Sequence, residues 1–306
     1  MVESARRDPN DAWVECTCGS RHWGLAGAAG LALVDRATHA IALQLRSARS
    51  HQGSTWALPG GAIGTGETPL AGALREAAEE ADIRAEDVVP DLASVLDHGV
   101  WSYTTVVAHV AHVATSRPEL RPLDGESADL RWVDLDEVTD LPLHPAFATA
   151  WPTLRVLADA DPTLVVDVAN VLGSRPDGWW RDRAGATARL LAELDAAVAP
   201  SGPGVPADWF GLAAATAWPR AVAVLEGAAR DAVLDPAPGS RLEVALAPGS
   251  GDDAIVAAAQ AASTTAEATG RGPVVVVTAD RGLRDRLPTG VRTLGPGTLR
   301  KRILEA

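Results

Sequence analysis

The sequence predicts an α/β protein with two domains. Its 306 residues allow about two domains of roughly 150 residues each. In the first half, apolar and alternating segments predict strands on both sides of a strongly acidic helix. In the second half, short apolar runs alternate with helical stretches, which is typical of a doubly wound, mainly parallel sheet. We place the boundary between the domains at Val156–Pro162.

The composition is ordinary for a soluble globular protein, with 47% hydrophobic and 22% charged residues. Most of the net charge of −13 falls in residues 1–150. That charge argues against passive binding of nucleic acid by this half, because phosphate binding depends largely on basic side chains. No apolar run approaches the ~20 residues that span a bilayer, and the N-terminus lacks the apolar core of a signal peptide. We expect a cytoplasmic protein with no membrane partner.

The acidic helix carries the strongest chemical pattern in the chain. Thr68 followed by Pro69 is a good helix start, because threonine caps exposed N–H groups and proline is well tolerated at the first position. The helix should run from about Pro69 to Ala81. Three glutamates then stand at i, i+3 and i+4 on one face, namely Glu76, Glu79 and Glu80. A divalent cation such as Mg²⁺ would offset their mutual repulsion, whereas a solvated acidic face is the alternative.

The stretch GAIGTGETPLAGALREAAEEADI, Gly61 to Ile83, resembles the signature of the Nudix hydrolases. The residues that fit the signature are Gly61, Glu67, Arg75, Glu76, Ala77, Glu79, Glu80 and Ile83. Asp82 stands where the family has glycine. That glycine is expected to close the helix in a left-handed conformation, which aspartate tolerates better than most residues.

The resemblance implies an α/β/α Nudix sandwich over residues 1–158 that cleaves a nucleoside diphosphate linked to another moiety. Glu76, Glu79 and Glu80 would hold Mg²⁺ or Mn²⁺, and Arg75 would order them. The WALPGGAIGTGE segment is similar to the family's approach to this helix, in which the backbone at Gly60 and Gly61 comes close to bound phosphates.

Family members often recruit a further glutamate as general base or extra metal ligand, and Glu126 is the candidate here, in a loop before a short strand at Leu130–Val133. A domain that binds a nucleotide without hydrolysing it, and so regulates the second domain, is the alternative function.

Cys16, Cys18 and His22 raise the possibility of a zinc site near the N-terminus. A structural zinc ion needs four ligands, typically with a second pair at a distance, and the sequence does not obviously supply one. We therefore expect a turn with small, buried thiols. Two cysteines are too few for the disulfide framework of a secreted protein.

Acidic residues follow the predicted strands of the second half. Predicted strands lie at Thr163–Val168, Ala221–Leu225, Leu242–Ala247 and Pro273–Thr278. The acidic residues at or just past their ends are Asp167, Glu226, Asp252, Asp253 and Asp280. The carboxyl ends of parallel strands share one edge of a sheet, so these side chains can converge and bind Mg²⁺ or Mn²⁺. As the alternative, each aspartate caps the helix that follows it.

The second half, residues 162–306, resembles the PIN-like nucleases of the NYN group. The similar motifs are VVDVAN, GSGDDAIVAAA, VVVVTADRGLRDRL and GPGTLRKRIL. By this likeness Asp167 and Asn170 match the first motif, Asp252 or Asp253 the middle one and Asp280 the last, with Glu226 or Asp285 completing the set. The resemblance implies metal-dependent cleavage of RNA, with a degenerate scaffold as the alternative.

Two other features of the second half bear on RNA binding. A basic tail could contact phosphates, or serve as helix ends and soluble surface; it consists of Arg281, Arg284, Arg286, Arg292, Arg300, Lys301 and Arg302. Trp179-Trp180 and Trp209-Phe210 could stack on bases, but we expect them to pack in a core or between the domains, because tryptophan is mostly buried.

Overall fold

A computed structural model describes residues 8–111, 117–123, 125–176, 178–237, 239–269 and 272–303. The chain separates into two compact units, Met1–Ala158 and Asp159–Ala306. Among the helices in these ranges, none combines the length and the apolar character needed to cross a membrane.

The first unit contains the following strands and helices in chain order. They are β1 (Trp13–Glu15), β2 (Arg21–Trp23), β3 (Ala28–Asp35), β4 (Ala40–Arg46), β5 (Trp56–Ala57), β6 (Gly60–Ala62), α1 (Pro69–Ala81), β7 (Val88–Asp97), β8 (Ser102–Val110), β9 (Ser127–Asp134) and α2 (Pro145–Ala158).

A mixed sheet forms the centre of the first unit. Its strands lie in the order β7-β8-β3-β4-β5, while β6 pairs with β3 and β9 pairs with β4. The β3–β8 pair is parallel and the other pairs are antiparallel. Strands β1 and β2 form a separate antiparallel hairpin. On this small hairpin Cys18 is exposed and Cys16 is only half-buried, so the expectation of buried thiols is wrong.

Helix α1 packs on this sheet through small side chains. Ala73, Ala77 and Ala81, spaced at i, i+4 and i+8, are fully buried in one cluster with Leu31 and Leu33 of β3. Alanines on this face allow the helix to lie close to the strands, and the acidic residues of α1 are thereby held near the chain that leads into it. Helix α2 contacts β8, and its buried side chains lie outside this cluster.

The second unit contains β10 (Thr163–Asp167), α3 (Val168–Gly173), α4 (Arg183–Val198), β11 (Val205–Pro206), β12 (Thr216–Ala217), β13 (Arg220–Leu225), β14 (Leu242–Leu246), α5 (Gly251–Thr269), β15 (Val274–Val277), α6 (Arg281–Arg284), β16 (Arg292–Leu294) and α7 (Pro296–Ile303). A parallel sheet has the order β14-β13-β10-β15-β16, with β10 central. The chain leaves β10 first to one side and later to the other, so a crevice is expected at the carboxyl end of β10.

Apolar residues of the strands fill the core of the second unit. Val165, Val222 and Val276 form a buried cluster with Ile255 and Ala259 of α5. These valine-rich strands are buried because helices cover a parallel sheet. The mixed α/β class expected from the alternation of strands and helices is confirmed.

Several predicted boundaries differ from the structure. The sequence predicts a helix over Arg281–Leu287. It ends at Arg284 in the structure, and Pro288 disfavours helical geometry in the residue before it, Leu287. The sequence also predicts a helical segment that begins at Asp134–Glu137, directly after β9; the structure has a 3₁₀ turn at Val138–Asp140. Helix α2 starts only at Pro145, a favoured first helical residue, and extends through Val156, which we had assigned to the linker.

Helix α1 has the two predicted ends. The Thr68 hydroxyl accepts a hydrogen bond from the Ala71 N–H at 3.2 Å, and Pro69 is the first helical residue. At the other end Asp82 adopts φ 57° and ψ 29°, and its N–H donates to the Ala77 carbonyl. The left-handed helix end expected at Asp82 is therefore confirmed.

Asp82→Gly should stabilise the protein by about 0.5 kcal/mol, because glycine adopts the left-handed conformation without the penalty of a Cβ atom. Asp82→Ala should lower the free energy of unfolding by about 1 kcal/mol, because alanine tolerates the left-handed conformation less well than aspartate. Urea unfolding followed by circular dichroism measures both changes. Equal stability of the two variants would contradict the role of the backbone conformation.

Candidate active site

Arg75 is the centre of the acidic face of α1. Its Nε donates to Glu67 Oε1 at 2.8 Å, and its Nη1 donates to Glu76 Oε1 at 2.8 Å and to Glu79 Oε2 at 3.1 Å. Its Nη2 donates to the Ala62 carbonyl at 2.9 Å. Bonding to Glu67, and then to Glu76, raises the pKa of the Arg75 guanidinium further above its usual range. One planar guanidinium thus fixes three carboxylates and the strand that precedes the helix.

Glu76 is packed against the backbone of β6. A Cβ atom built on Gly61 would lie 2.6 Å from the carboxyl carbon of Glu76, so any larger residue would displace this carboxylate from its position. Burial raises the pKa of Glu76; Arg75 opposes this rise, whereas the charges of Glu79 and Glu126 add to it. The site therefore holds more negative charge than Arg75 neutralises.

Glu80 is the most buried of the three helix glutamates, with 3% of its surface exposed. Its Oε2 accepts hydrogen bonds from the Gly60 N–H at 2.8 Å and from Gln44 Nε2 at 3.2 Å. Gln44 also accepts a bond from the Ser127 hydroxyl at 2.6 Å. These contacts join α1 to the first residue of β6 and to strands β4 and β9.

Glu126 directly precedes β9, which starts three residues earlier than predicted. Its carbonyl accepts from the Ser47 N–H at 2.7 Å, so the backbone is fixed at the end of β4. Burial raises the pKa of Glu76, and the charge of Glu126 adds to that rise, so the two carboxylates are close enough to interact through their charges. Tyr103 lies near the same region: burial, followed by the charge of Glu80, raises the pKa of its hydroxyl.

The donor set of this face fits a hard divalent cation. The glutamates offer only oxygen atoms, the ligands that Mg²⁺ and Mn²⁺ prefer. Burial raises the pKa of Glu76, and repulsion from the Glu79 and Glu126 carboxylates adds to the rise; a cation would relieve that repulsion.

A second acidic group, at His39, Asp134 and Asp136, also has ligand atoms close together. Arg155 Nη2 lies 2.8 Å from Asp136 Oδ1 and 3.3 Å from His39 Nε2, so we interpret this group as an ion-pair network.

In the second unit, Asp167 ends the central strand. Only 6% of its surface is exposed. Its Oδ1 accepts from the Asn170 N–H at 3.0 Å and its Oδ2 accepts from the Thr278 hydroxyl at 2.9 Å. Burial raises the pKa of Asp167; these hydrogen bonds lower it, and the charges of Asp252 and Glu226 raise it. The carboxylate is therefore held in place among other negative charges.

Asn170 and Asp280 are tied to the same edge of the sheet. The Asn170 side-chain oxygen accepts from the Ala279 N–H at 2.8 Å, which links α3 to the segment after β15. Asp280 caps α6 by accepting from the Leu283 N–H at 2.9 Å. Asp167 and Asp280 therefore cap the helices that follow them, as the alternative interpretation predicts. They also lie at the same edge of the sheet.

A cleft of about 650 Å³ lies at this edge of the second unit. The predicted site residues that line it are Asp167, Asn170, Glu226, Asp252 and Asp280. Asp253 is not among its lining residues; it pairs instead with Arg286, whose guanidinium also lies 3.7 Å from Asp252. Of the residues considered for completing the set, Glu226 lines the cleft and Asp285 does not.

Part of the basic tail is engaged within its own unit. Arg284 donates to the Thr278 carbonyl, and Arg300 is buried with its Nε 3.1 Å from the Val171 carbonyl. Arg300 and Arg175 line the cleft. The interior position expected for Trp209-Phe210 is confirmed, whereas Trp180 is 55% exposed.

Sequence reasoning missed several residues that support these sites. Gln44 holds Glu80 and Thr278 holds Asp167, both through side-chain hydrogen bonds. A signal existed for each. Gln44 interrupts the apolar strand AIALQLR, and Thr278 directly follows the run VVVV. A polar side chain in such a place must find a hydrogen-bond partner when buried.

Comparison with known proteins identifies relatives of the first half. The model of the NUDIX domain family matches residues 24–156. A Bifidobacterium longum protein named nucleoside triphosphate pyrophosphatase/Nudix hydrolase fusion protein is 42% identical over 157 residues, which cover 49% of this chain and 32% of that protein. A Mycobacterium tuberculosis protein provisionally named 8-oxo-dGTP diphosphatase 3 is 45% identical over 161 residues, which cover 49% of this chain and 70% of that protein.

A crystal structure of a Nudix hydrolase from M. smegmatis is 44% identical, with a TM-score of 0.43, and the match covers 48% of this chain and 94% of that one. The residues matched by the family model include the glutamate-rich helix, Pro69–Ala81, and its arginine. The chain therefore belongs to the Nudix hydrolase family through its first half.

Proposed function

We propose that the first unit is a divalent-metal-dependent pyrophosphohydrolase that cleaves a nucleoside diphosphate linked to another moiety. The observation that carries this proposal is the arginine network of α1, in which Arg75 holds Glu67, Glu76 and Glu79 together. Such a cluster of carboxylates, built against a glycine backbone and fixed by one guanidinium, is prepared for a cation and for a substrate that carries phosphates.

Each residue has a distinct role in this proposal. Glu76, Glu79 and Glu80 would hold Mg²⁺ or Mn²⁺, which when bound offsets the charge of the phosphates and polarises a phosphoryl oxygen. Arg75 keeps the carboxylates in position. Glu126 accepts the proton of the attacking water, or serves as a further ligand.

Gly60 and Gly61 place backbone where the phosphates bind. A Cβ atom at Gly60 would lie 2.5 Å from the Ala29 carbonyl, so the chain here passes too close to β3 for any larger residue. The N–H of Gly60 bonds to Glu80, so a glycine backbone and a buried carboxylate share the same corner of the site.

Two relatives carry names that point to nucleoside triphosphates, one of them oxidised on the guanine base. Nucleoside triphosphates are therefore the first substrates to test. Nucleotide sugars, dinucleotides and capped RNA ends contain the same diphosphate linkage and belong in the same panel.

The alternative is a Nudix domain that binds a nucleotide without hydrolysing it and regulates the second unit. Calorimetry and product release distinguish the two. A wild type that binds nucleotides with Mg²⁺ but releases no phosphate or pyrophosphate would support the sensor; turnover that depends on the helix glutamates would exclude it.

Glu79→Gln should lower the rate of phosphate or pyrophosphate release by roughly 100-fold or more, because it removes one charged ligand for the cation. The Glu79 side chain is 58% exposed, so the variant should keep its fold. Malachite-green detection with the nucleotide panel, in Mg²⁺ and separately in Mn²⁺, measures the effect.

Glu86→Gln is the matched control, because Glu86 is an exposed glutamate in a surface ion pair with Arg84 at 3.1 Å. It should keep the wild-type rate. Equal rates for Glu79→Gln and Glu86→Gln on every substrate that the wild type cleaves would contradict the proposed metal site.

Glu76→Gln should become progressively more stable than the wild type as the pH rises, in buffer without divalent metal. Burial raises the pKa of Glu76 above its usual value, so the ionised side chain disfavours the folded state. Below the unfolded pKa of about 4.5 the wild-type side chain is protonated and the two proteins should differ least. The difference should grow as the pH rises through the folded pKa and then level off.

Urea unfolding at a series of pH values measures this difference, with Glu86→Gln followed in parallel as the control at an exposed glutamate. A Glu76→Gln variant whose relative stability falls with rising pH would show that Arg75 outweighs burial.

We propose further that residues 162–306 form a PIN-like, NYN-type domain that cleaves RNA, and that residues 1–158 form the Nudix domain. The observation in favour of the nuclease is the single cleft lined by Asp167, Glu226, Asp252 and Asp280 at the carboxyl edge of a parallel sheet. These oxygen donors would hold Mg²⁺ or Mn²⁺, as metal-dependent cleavage of a phosphodiester requires. Asn170 and Arg175 line the same cleft and would contact phosphate oxygens.

Asp167→Asn should abolish metal-dependent cleavage of single-stranded RNA by the full-length protein. Asparagine retains the oxygen that caps α3 but lacks the negative charge, so the fold should survive. Asp182→Asn is the control, because Asp182 caps α4 in the same way, accepting from the Gly185 N–H at 2.9 Å. If the wild type cleaves no RNA, or Asp167→Asn cleaves as fast as Asp182→Asn, the second unit is a scaffold.

A further inference from the structure

Two cysteines and two histidines converge at one end of the first unit. Each offers one ligand atom, and these four atoms lie within 4.8 Å of one another; the residues are Cys16, Cys18, His22 and His98. The sequence suggests three of them as zinc ligands, Cys16, Cys18 and His22, but shows no obvious fourth ligand. The fold supplies it from a position 82 residues after Cys16.

The β1–β2 hairpin positions the first three residues. Val14 pairs with His22 across the hairpin, and the Cys16 N–H donates to the Ser20 carbonyl at 3.1 Å, which closes the turn. Gly19 allows this turn because its φ is +86°. The Cys18 N–H is 3.5 Å from Cys16 Sγ, so the turn folds the backbone around the first sulfur.

His98 reaches the cluster from the turn between β7 and β8. Its N–H donates to the Trp101 carbonyl at 2.9 Å, which fixes the turn. Its Nδ1 lies 3.5 Å from Cys16 Sγ, and His22 Nε2 lies 3.1 Å from Cys18 Sγ. A tetrahedral zinc ion with ordinary bond lengths separates its ligand atoms by roughly 3.3–3.8 Å, close to these two distances.

Trp101 holds the histidines in orientation. The ring of His22 stacks on Trp101 with 4.0 Å between centroids and an angle of 10° between planes. Trp101 is itself fixed, since it is buried and its Nε1 donates to the Trp23 carbonyl at 3.1 Å. Support of this kind around metal-binding histidines fixes the direction of the ring nitrogens.

We propose that Cys16, Cys18, His22 and His98 bind one structural zinc ion that fastens the β1–β2 hairpin to the β7–β8 turn. Two sulfur and two nitrogen ligands in a compact group favour Zn²⁺ over Mg²⁺ or Mn²⁺, which prefer oxygen. Two thiolates balance the charge of the ion. The site uses none of the glutamates of α1, so it is separate from the proposed catalytic metal.

The test is the zinc content of the purified full-length protein, measured by plasma mass spectrometry after dialysis into metal-free buffer. The wild type should retain about one zinc ion per chain, and Cys18→Ser and His98→Ala should each retain less than about a tenth of that. His51→Ala is the control, since His51 lies beside Trp13 of the same hairpin but outside the cluster. Glu79→Gln should also keep its zinc.

His98→Cys distinguishes the loss of a ligand from a failure to fold. Cysteine restores a fourth ligand, so this variant should recover the zinc that His98→Ala loses. Cobalt substitution provides a signature of the ligands: the wild type should show tetrahedral visible bands with thiolate-to-cobalt absorption, and the latter should increase in His98→Cys.

Three outcomes would overturn the proposal. The wild type could fail to bind zinc when one equivalent is added. Cys18→Ser and His98→Ala could retain zinc at the wild-type level. The intact mass of the protein could show a disulfide between Cys16 and Cys18, or alkylation could show two reactive thiols in protein loaded with zinc.

Discussion

The proposed catalytic face depends on the hydrogen bonds and ion pairs of the Arg75 guanidinium. Its nitrogens bond to Glu67, Glu76, Glu79 and the Ala62 carbonyl. Without this cation the carboxylates would repel one another and the loop before α1 would lose its anchor. Lysine could replace the charge but not the fork of donors, because an ammonium group cannot bond in a plane to several partners. The requirement for arginine at this position is thus geometric as well as electrostatic.

The two units gather carboxylates by different means. In the first, glutamates share one face of a long helix, so their spacing in the sequence determines their proximity. In the second, acidic residues far apart in the sequence meet because parallel strands end at one edge of a sheet. Long side chains on a helix need an arginine to order them, whereas Asp167 is held by the neighbouring Asn170 N–H and the Thr278 hydroxyl.

Local features of the sequence predicted the structure best. The ends of α1 followed from Thr68, Pro69 and Asp82, because capping depends on a few neighbouring residues. Contacts across the fold were not accessible in this way. Gln44 reaches Glu80, and His98 reaches Cys16, only because the fold brings distant strands and turns together. No local pattern in the sequence identifies these partners. Asp252 and Asp253 are adjacent, and only the rotation of α5 decides which of them lines the cleft.

Positions 61 and 82 differ in how well they tolerate a residue other than glycine, although the Nudix signature has glycine at both. At Gly61 the obstacle is a neighbour: any Cβ atom would overlap the carboxyl group of Glu76. At Asp82 the obstacle is only a backbone angle, which aspartate adopts at modest cost. A search profile that weights the two glycines equally would penalise this chain for a residue that closes the helix in the same left-handed conformation. A profile that gave more weight to the glycine at position 61 would rank distant family members by the residue that leaves space for the Glu76 carboxylate.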